Sequence, residues 1–234
     1  MIVRTDLDPP LFITQPDHAV VAAAIMHGWK SGGLPESPRY AAIMLSVQTH
    51  DNGWQEVDAE PCLDPATGQV LDFVHVPEEV RHAVWTRGVA RLTGEPYAAA
   101  LVAQHALHIY RRMRQQPGWR QFFVDLTAAR DAHLSASRET IETLQREYAF
   151  LRLADLASLT FCGVDTGGQA QEMGYEIRLE GSRLVIGPDP FEGESFEIEI
   201  AGRELASSFA SGADARAAWQ SAPRRTISGV ATGA

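Results

Sequence analysis

The sequence predicts a mainly α-helical body with a small C-terminal β-hairpin or sheet appendage. Two observations carry this expectation. Up to about residue 163, apolar residues recur at the three- and four-residue spacing of amphipathic helices, in segments bounded by Pro, Gly and short polar caps. From Tyr175 onward the pattern becomes short alternating runs around turn residues. The expected division is an α-helical domain over 1–163, a β-rich appendage over 164–222 packed on it, and a mobile tail over 223–234, rich in Arg, Ser and Gly.

The elements follow in order. The first 14 residues contain prolines and are expected to be extended. "QPDHAVVAAAIMHGW" reads as a helix with Thr14 or Asp17 as cap, Pro16 in the first turn and Gly28 at the end. "KSGGLPESP" is a loop, and "RYAAIMLSVQTHD" is a second helix ended by Asn-Gly. Residues 52–77 show no sustained period and read as a long ordered loop. "PEEVRHAVWTRGVARL" is a third helix, with two Glu near its positive end. "EPYAAALVAQHALHIYRRM" is a fourth, and residues 118–162 hold one or more long helices with a break near Ser135–Ser137. "GVDTGG" at 163–168 lacks the Lys-Ser/Thr of a phosphate loop and reads as a linker. "YEIRLEG" and "SRLVIGP" flank a Gly-Ser turn, "SFEIEIAGREL" is a further strand, and "DARAAWQSA" suits a short helix.

Composition narrows the function classes. With 45% hydrophobic residues among 234, the chain buries a sizeable core without staples. The net charge of −10 and the want of a basic patch argue against nucleic acid. No Lys/Arg-rich amphipathic segment points to anionic lipid, and the longest apolar stretch, "AVVAAAIM", is too short to span a bilayer. Cys62 and Cys162 fit no zinc or nucleophile motif, and the N-terminus has no long apolar segment of a signal peptide, so a cytoplasmic protein is expected. The expected partner is a small-molecule substrate, with a second copy of the chain as the base-rate oligomer.

Four polar residues interrupt apolar faces. His50 and Asp51 follow Val47 at i+3 and i+4, so the doublet continues the inward face of the second helix. His18 shares a face with Val21, Ala22 and Ile25, and Asp155 lies four residues from both Leu151 and Leu159. Each has a structural reading: His18 bonded to backbone, the doublet as a helix cap and Asx-turn, Asp155 paired with Arg152 or another arginine. A carboxylate on such a face costs several kcal/mol without compensation, about 2–7 for a merely polar group. Two His and two Asp pointing inward from three helices make a divalent metal the economical compensator. The donor set suits manganese, iron, zinc or nickel better than calcium.

This order, a His, a His-Asp doublet and a distant Asp, resembles the HD-domain superfamily of metal-dependent phosphohydrolases. "ITQPDHA", "HDNGWQEVDAEP", "GQVLDF", "LVAQHALHIY" and "LADLASLTFC", followed by "PFEGESFEIEIAGREL", are more closely similar to the bacterial family called domain of unknown function 3891. The resemblance implies an HD-like helical bundle and one or two divalent ions (Mn, Fe, Zn, Ni or Mg) per chain. It names no substrate. HD enzymes with two metals take further His ligands from middle helices, which makes His105 a candidate fifth ligand beside His18, His50, Asp51 and Asp155; a core histidine is the alternative.

Asp58 and Asp51 are the candidate catalytic carboxylates. Gln15, Trp54, Glu56, Asp72 and His108 are candidates for contacts behind the ligands or to substrate, each with a structural alternative as a loop or core contact. His27, His75, His82 and His133 read as surface or structural. The leading expectation is a metal-dependent hydrolase acting on a phosphate ester or related small molecule. The alternatives are a di-iron oxygenase of the HD fold and a non-catalytic ligand-binding or interaction module.

Overall fold

The N-terminal segment does more than extend: it forms two strands, β1 (Ile2–Arg4) and β2 (Leu11–Ile13), paired antiparallel. Thr14 then turns the chain into α1 (Gln15–His27), its hydroxyl accepting from the Asp17 N–H at 3.1 Å as an N-cap. The computed structural model describes residues 1–164 and 170–234. Most of the "GVDTGG" stretch read as a linker lies outside the described residues.

The helices are α2 (Tyr40–Thr49), the short α3 (Gln55–Ala59), α4 (Glu78–Arg91), α5 (Pro96–Ile109), α6 (Arg120–Ser137) and α7 (Ile141–Phe161). After them come β3 (Ala170–Glu172), β4 (Tyr175–Glu180), β5 (Arg183–Gly187), β6 (Ser195–Glu204), α8 (Gly212–Ser221) and β7 (Arg224–Gly233). Among the described residues no helix is long and apolar enough to cross a membrane.

The fold expectation is corrected here. The chain is not a mainly α HD-like bundle carrying a small hairpin. Among the described residues the strands form one seven-stranded mixed sheet in the order β1-β2-β6-β7-β5-β4-β3. Neighbours are antiparallel except β5 and β7, which are parallel. β2 from the first residues pairs with β6 through Leu11↔Glu204 and Phe12↔Arg203. Such pairing depends on backbone hydrogen bonds between distant segments, which local periodicity does not report.

The expected tail is also corrected. Residues 224–233 form β7, which lies inside the sheet between β6 and β5. Its small residues mislead because they read as flexible. In fact a Cβ on Gly229 would collide with the Phe161 ring and the Ser182 carbonyl, and one on Gly233 would collide with Asp189. The glycines are there for close packing.

One apolar core joins helices and sheet. Ile25, Val47, Leu101 and Leu151 from α1, α2, α5 and α7 pack with Ile186, Ile198 and Ala231 from the strands. A second cluster gathers Trp54, Val84, Trp85, Trp119 and Phe122 around α4, α5 and the start of α6. Residues 52–77 are more ordered than a loop: a 3₁₀ turn at Asn52–Trp54 leads into α3, and Leu63 and Gln69 make isolated bridges to Val70 and Ser208. A Cβ on Gly53 would overlap the Val84 carbonyl, so the glycine lets this turn lie directly on α4.

A buried ion pair braces the helices. Glu147 of α7 takes two bonds from Arg39, at 2.6 and 2.8 Å, one from the Tyr97 hydroxyl at 2.5 Å and one from Ser37 at 3.0 Å. Burial alone would raise the Glu147 carboxyl, but these donors outweigh it and hold it below its ordinary value. A depressed carboxyl stabilises the fold fully above its unfolded value of 4.5, and that stabilisation is lost as pH falls below it. Glu147→Ala is expected to cost about 3 kcal/mol at neutral pH by leaving Arg39 and Tyr97 without their acceptor. The deficit should shrink in acid. Urea unfolding at both pH values checks this, and equal midpoints at neutral pH would contradict it.

Candidate metal centre

Five side chains from four segments meet under α1. α1 brings His18, the end of α2 brings His50 and Asp51, α5 brings His105 and α7 brings Asp155. Each sits there because its helix continues an apolar face inward past Val21, Val47, Leu101 or Leu151. His18, His50, Asp51 and His105 are buried, and Asp155 keeps 18% of its side chain exposed, so it opens toward the adjoining pocket.

The hydrogen bonds assign the imidazole protons. His50 Nδ1 lies 2.7 Å from the Val47 carbonyl, which can only accept, so Nδ1 carries a proton. Ser158 spends its hydroxyl proton on the Asp155 carbonyl at 2.9 Å, so its oxygen accepts from His18 Nδ1 at 2.8 Å. Both Nε2 atoms therefore face the cluster. His18 Nε2 lies 2.8 Å from Asp51 Oδ2. His50 Nε2 is buried without a hydrogen-bond partner, with Asp51 Oδ2 and Asp155 Oδ1 each at 3.5 Å. His105 shares a bond of 3.1 Å with the Tyr148 hydroxyl through Nδ1 and places Nε2 at 3.6 Å from Asp155 Oδ2.

Lone pairs of imidazole and carboxylate cannot rest against one another without a cation between them, either a proton or a metal ion. The titration tendencies express the same demand. Burial works against charge on His50, yet Asp51 and Asp155 push its pKa up to about 9. Burial would raise Asp155, but His50, His105 and His18 hold it below the usual carboxylate range. Burial dominates at His105 and lowers its pKa to about 4, keeping it in the neutral form that ligates metals.

The residues fit a metal ion. Two groups, His18-His50-Asp51 and His50-His105-Asp155, each bring their ligand atoms within 4.8 Å of one another. The orphaned Nε2 of His50 belongs to both groups. One imidazole nitrogen binds one ion, and Nδ1 of His50 is already committed, so the shared histidine favours a single ion over two filled groups.

Beside the cluster lies a pocket of about 200 Å³, lined by His18, Asp51, His105 and Asp155 of the cluster together with Gln15, Trp54, Phe73, Trp85, Tyr110 and Leu159. Gln15 and Trp54, singled out from the sequence, do line it. The other sequence candidates lie elsewhere. Asp58 accepts from the Met1 amino group at 2.7 Å and from the Gln15 N–H at 2.6 Å, and it lines a separate pocket, so it anchors the start of α1. Glu56 is exposed and paired with Arg87 and Arg91. Asp72 accepts from the Val74 and His75 N–H groups at 2.9 Å and shapes the turn that carries Phe73 to the pocket. His108 packs near Tyr148, outside this pocket, with its pKa lowered to about 4 by burial and by Arg152 and Arg111. Arg152 pairs with Glu172 and leaves Asp155 to the cluster.

Sequence reasoning missed Ser158, Tyr148 and the Val47 carbonyl, which orient the three imidazoles. Ser158 was legible as the residue three after Asp155 on the same helix. Tyr148, Trp85 and Tyr110 carried no local signal apart from helical phase. Compared with known proteins, the family described as "Protein of unknown function (DUF3891)" matches residues 1–207, and the chain belongs to that family. No curated protein and no solved structure matches.

His50→Ala is expected to abolish stoichiometric metal uptake, because it removes the ligand common to both groups. Ser158→Ala should weaken uptake about 10- to 100-fold by freeing the His18 ring. Elemental analysis after dialysis against a buffered metal series measures both, and unchanged content in His50→Ala would contradict the assignment. Metal uptake should also release protons and weaken as pH falls from about 9, because His50 then holds the proton a metal must displace. Calorimetry in buffers of different ionisation enthalpy reads the proton release.

Proposed function

We propose that this member of the DUF3891 family is a metal-dependent hydrolase of a phosphate ester or related small molecule. The observation that carries the reading is the convergence of three imidazoles and two carboxylates at the base of a walled pocket. The order of those ligands along the chain also resembles that of the HD-domain phosphohydrolases, although the sheet sets this body apart from an all-α one.

His18, His50, His105, Asp51 and Asp155 would hold the ion, with manganese, iron, zinc or nickel suited to the donors. A bound divalent ion lowers the pKa of a water molecule and polarises a phosphoryl oxygen. The chain supplies the rest. Asp155, the partly exposed carboxylate of the cluster, would serve as a ligand where the cluster meets the pocket. Asp51 lines the same pocket; with Oδ2 in the cluster, its other oxygen would be the one placed to take a proton from the attacking water. Trp54, Phe73, Trp85 and Leu159 wall the pocket and exclude bulk water. Burial raises the Tyr110 phenol, which therefore stays protonated and can donate to a substrate oxygen.

The experiment is metal analysis of protein purified without chelator, followed by assay of the loaded protein against nucleotides and phosphomonoesters. We expect about one ion per chain and turnover that disappears on chelation. Two irons per chain would support the oxygenase alternative. Full metal loading with no turnover across the panel would sink the hydrolase reading in favour of a ligand-binding module.

A further inference from the structure

Among the described residues that line the pocket beside the cluster, Arg81 is the one Lys or Arg. It stands on α4 one turn before Trp85, so the two share the face that closes the pocket. Its Nε is buried and has no hydrogen-bond partner, and no carboxylate among the described residues forms an ion pair with the guanidinium. The neighbouring arginines of the same helix behave differently. Arg87 bonds the Gly53 carbonyl, and Arg91 bonds the Asn52 carbonyl and Glu56. Glu78, a turn before Arg81, lies 3.9 Å from His82 instead.

What holds Arg81 in place leaves its donors unused. The guanidinium carbon sits 5.4 Å from the Trp119 ring centroid, and the aromatic face satisfies charge without accepting in-plane N–H bonds. A buried donor left unsatisfied costs about 1–3 kcal/mol, more when charged. The same pocket contains further orphaned polar atoms: Trp54 Nε1 and Gln15 Oε1 are buried without partners. The remaining walls are apolar, from Phe73, Val74, Trp85, Ile109 and Leu159, and Val74 and Ile109 stay 53% and 38% exposed, so apolar surface reaches solvent on the pocket lining.

We infer that Arg81 is the anion-recognising residue of this pocket, and that the substrate is a small phosphomonoester with an apolar or aromatic body. The inference rests on the proposed hydrolase reading for the reaction, but its evidence is the unpartnered guanidinium and its pocket. Arg81 meets the phosphate oxygens with a planar fork of donors, and the apolar walls receive the organic group. Size restricts the class. A pocket of about 200 Å³ falls below the roughly 300–1,000 Å³ of drug-sized ligand sites, so phenyl phosphate is a better fit than a nucleotide.

The test is calorimetric titration with phenyl phosphate and with adenosine monophosphate of protein purified without chelator and incubated with divalent metal, for the unaltered chain, Arg81→Gln and Arg81→Lys. The unaltered chain should bind phenyl phosphate more tightly than the nucleotide. Arg81→Gln should bind it at least tenfold more weakly, and Arg81→Lys should recover part of the loss because it keeps the charge without the fork. Metal content and melting temperature are measured on each variant. No phenyl phosphate binding by the unaltered chain, or binding unchanged in Arg81→Gln, would overturn the inference. Arg81-dependent binding in a chain that takes up no metal would sink the hydrolase reading and leave the anion pocket standing. Arg81-independent binding in a chain that holds its metal and hydrolyses phosphomonoesters would do the reverse.

Discussion

Three imidazoles and two carboxylates share one buried volume, and the proton positions leave them facing one another. The Val47 carbonyl and the Ser158 hydroxyl each claim an Nδ1 proton, so the Nε2 atoms of His50 and His18 point at Asp51 and Asp155. A cluster arranged this way is unfavourable without a cation, because burial removes the water that would screen it. The surrounding structure serves to keep the arrangement from relaxing.

α1 is the strut. Its first turn is held from both sides, by the Thr14 cap and by Asp58, whose second oxygen accepts from the Gln15 N–H. Gln15 and His18 are one turn apart, so fixing the start of the helix fixes a pocket wall and a member of the cluster together. Above it, β2 enters the sheet through β6, and the sheet packs against α1 and α7 through Ile198, Ile186 and Phe161. The sheet is therefore part of the support behind His18 and Asp155. The Glu147–Arg39–Tyr97 network does the same for α2, α5 and α7, which carry the other residues of the cluster.

The pocket has an uneven character that follows from where its side chains originate. The floor is polar because helix ends and interrupted stripes deliver His and Asp there. The walls are aromatic because α4 and the turn at Phe73 pack across the opening. Arg81 is the exception, a guanidinium supported by Trp119 whose buried Nε meets no acceptor among the described residues. Among the described residues the pocket thus combines a floor of imidazoles and carboxylates, apolar walls and one arginine.

Much of the helical framework and the inward phase of His18, His50, Asp51, His105 and Asp155 were legible in the sequence. Helical phase is a local property: a residue three or four positions from Val47 must lie on the same face, whatever the rest of the chain does. The neighbours of the doublet in sequence, Glu56 and Asp58, were misleading for the same reason, because proximity along the chain says nothing about which way α3 turns its faces. The sheet was legible only in part. β4, β5 and β6 alternate visibly, whereas β1 and β2 are three residues each, and β7 replaces bulk with Gly, Ser and Ala where Phe161 and Asp189 press against it. By itself the sequence determined which residues turn inward and that their donors are imidazole and carboxylate. Only the tertiary structure decided that the first and last strands enter one sheet, that Ser158 and Val47 orient the imidazoles, and that Arg81 faces the pocket. Those outcomes depend on hydrogen bonds and packing between residues far apart in the chain, which no local pattern encodes.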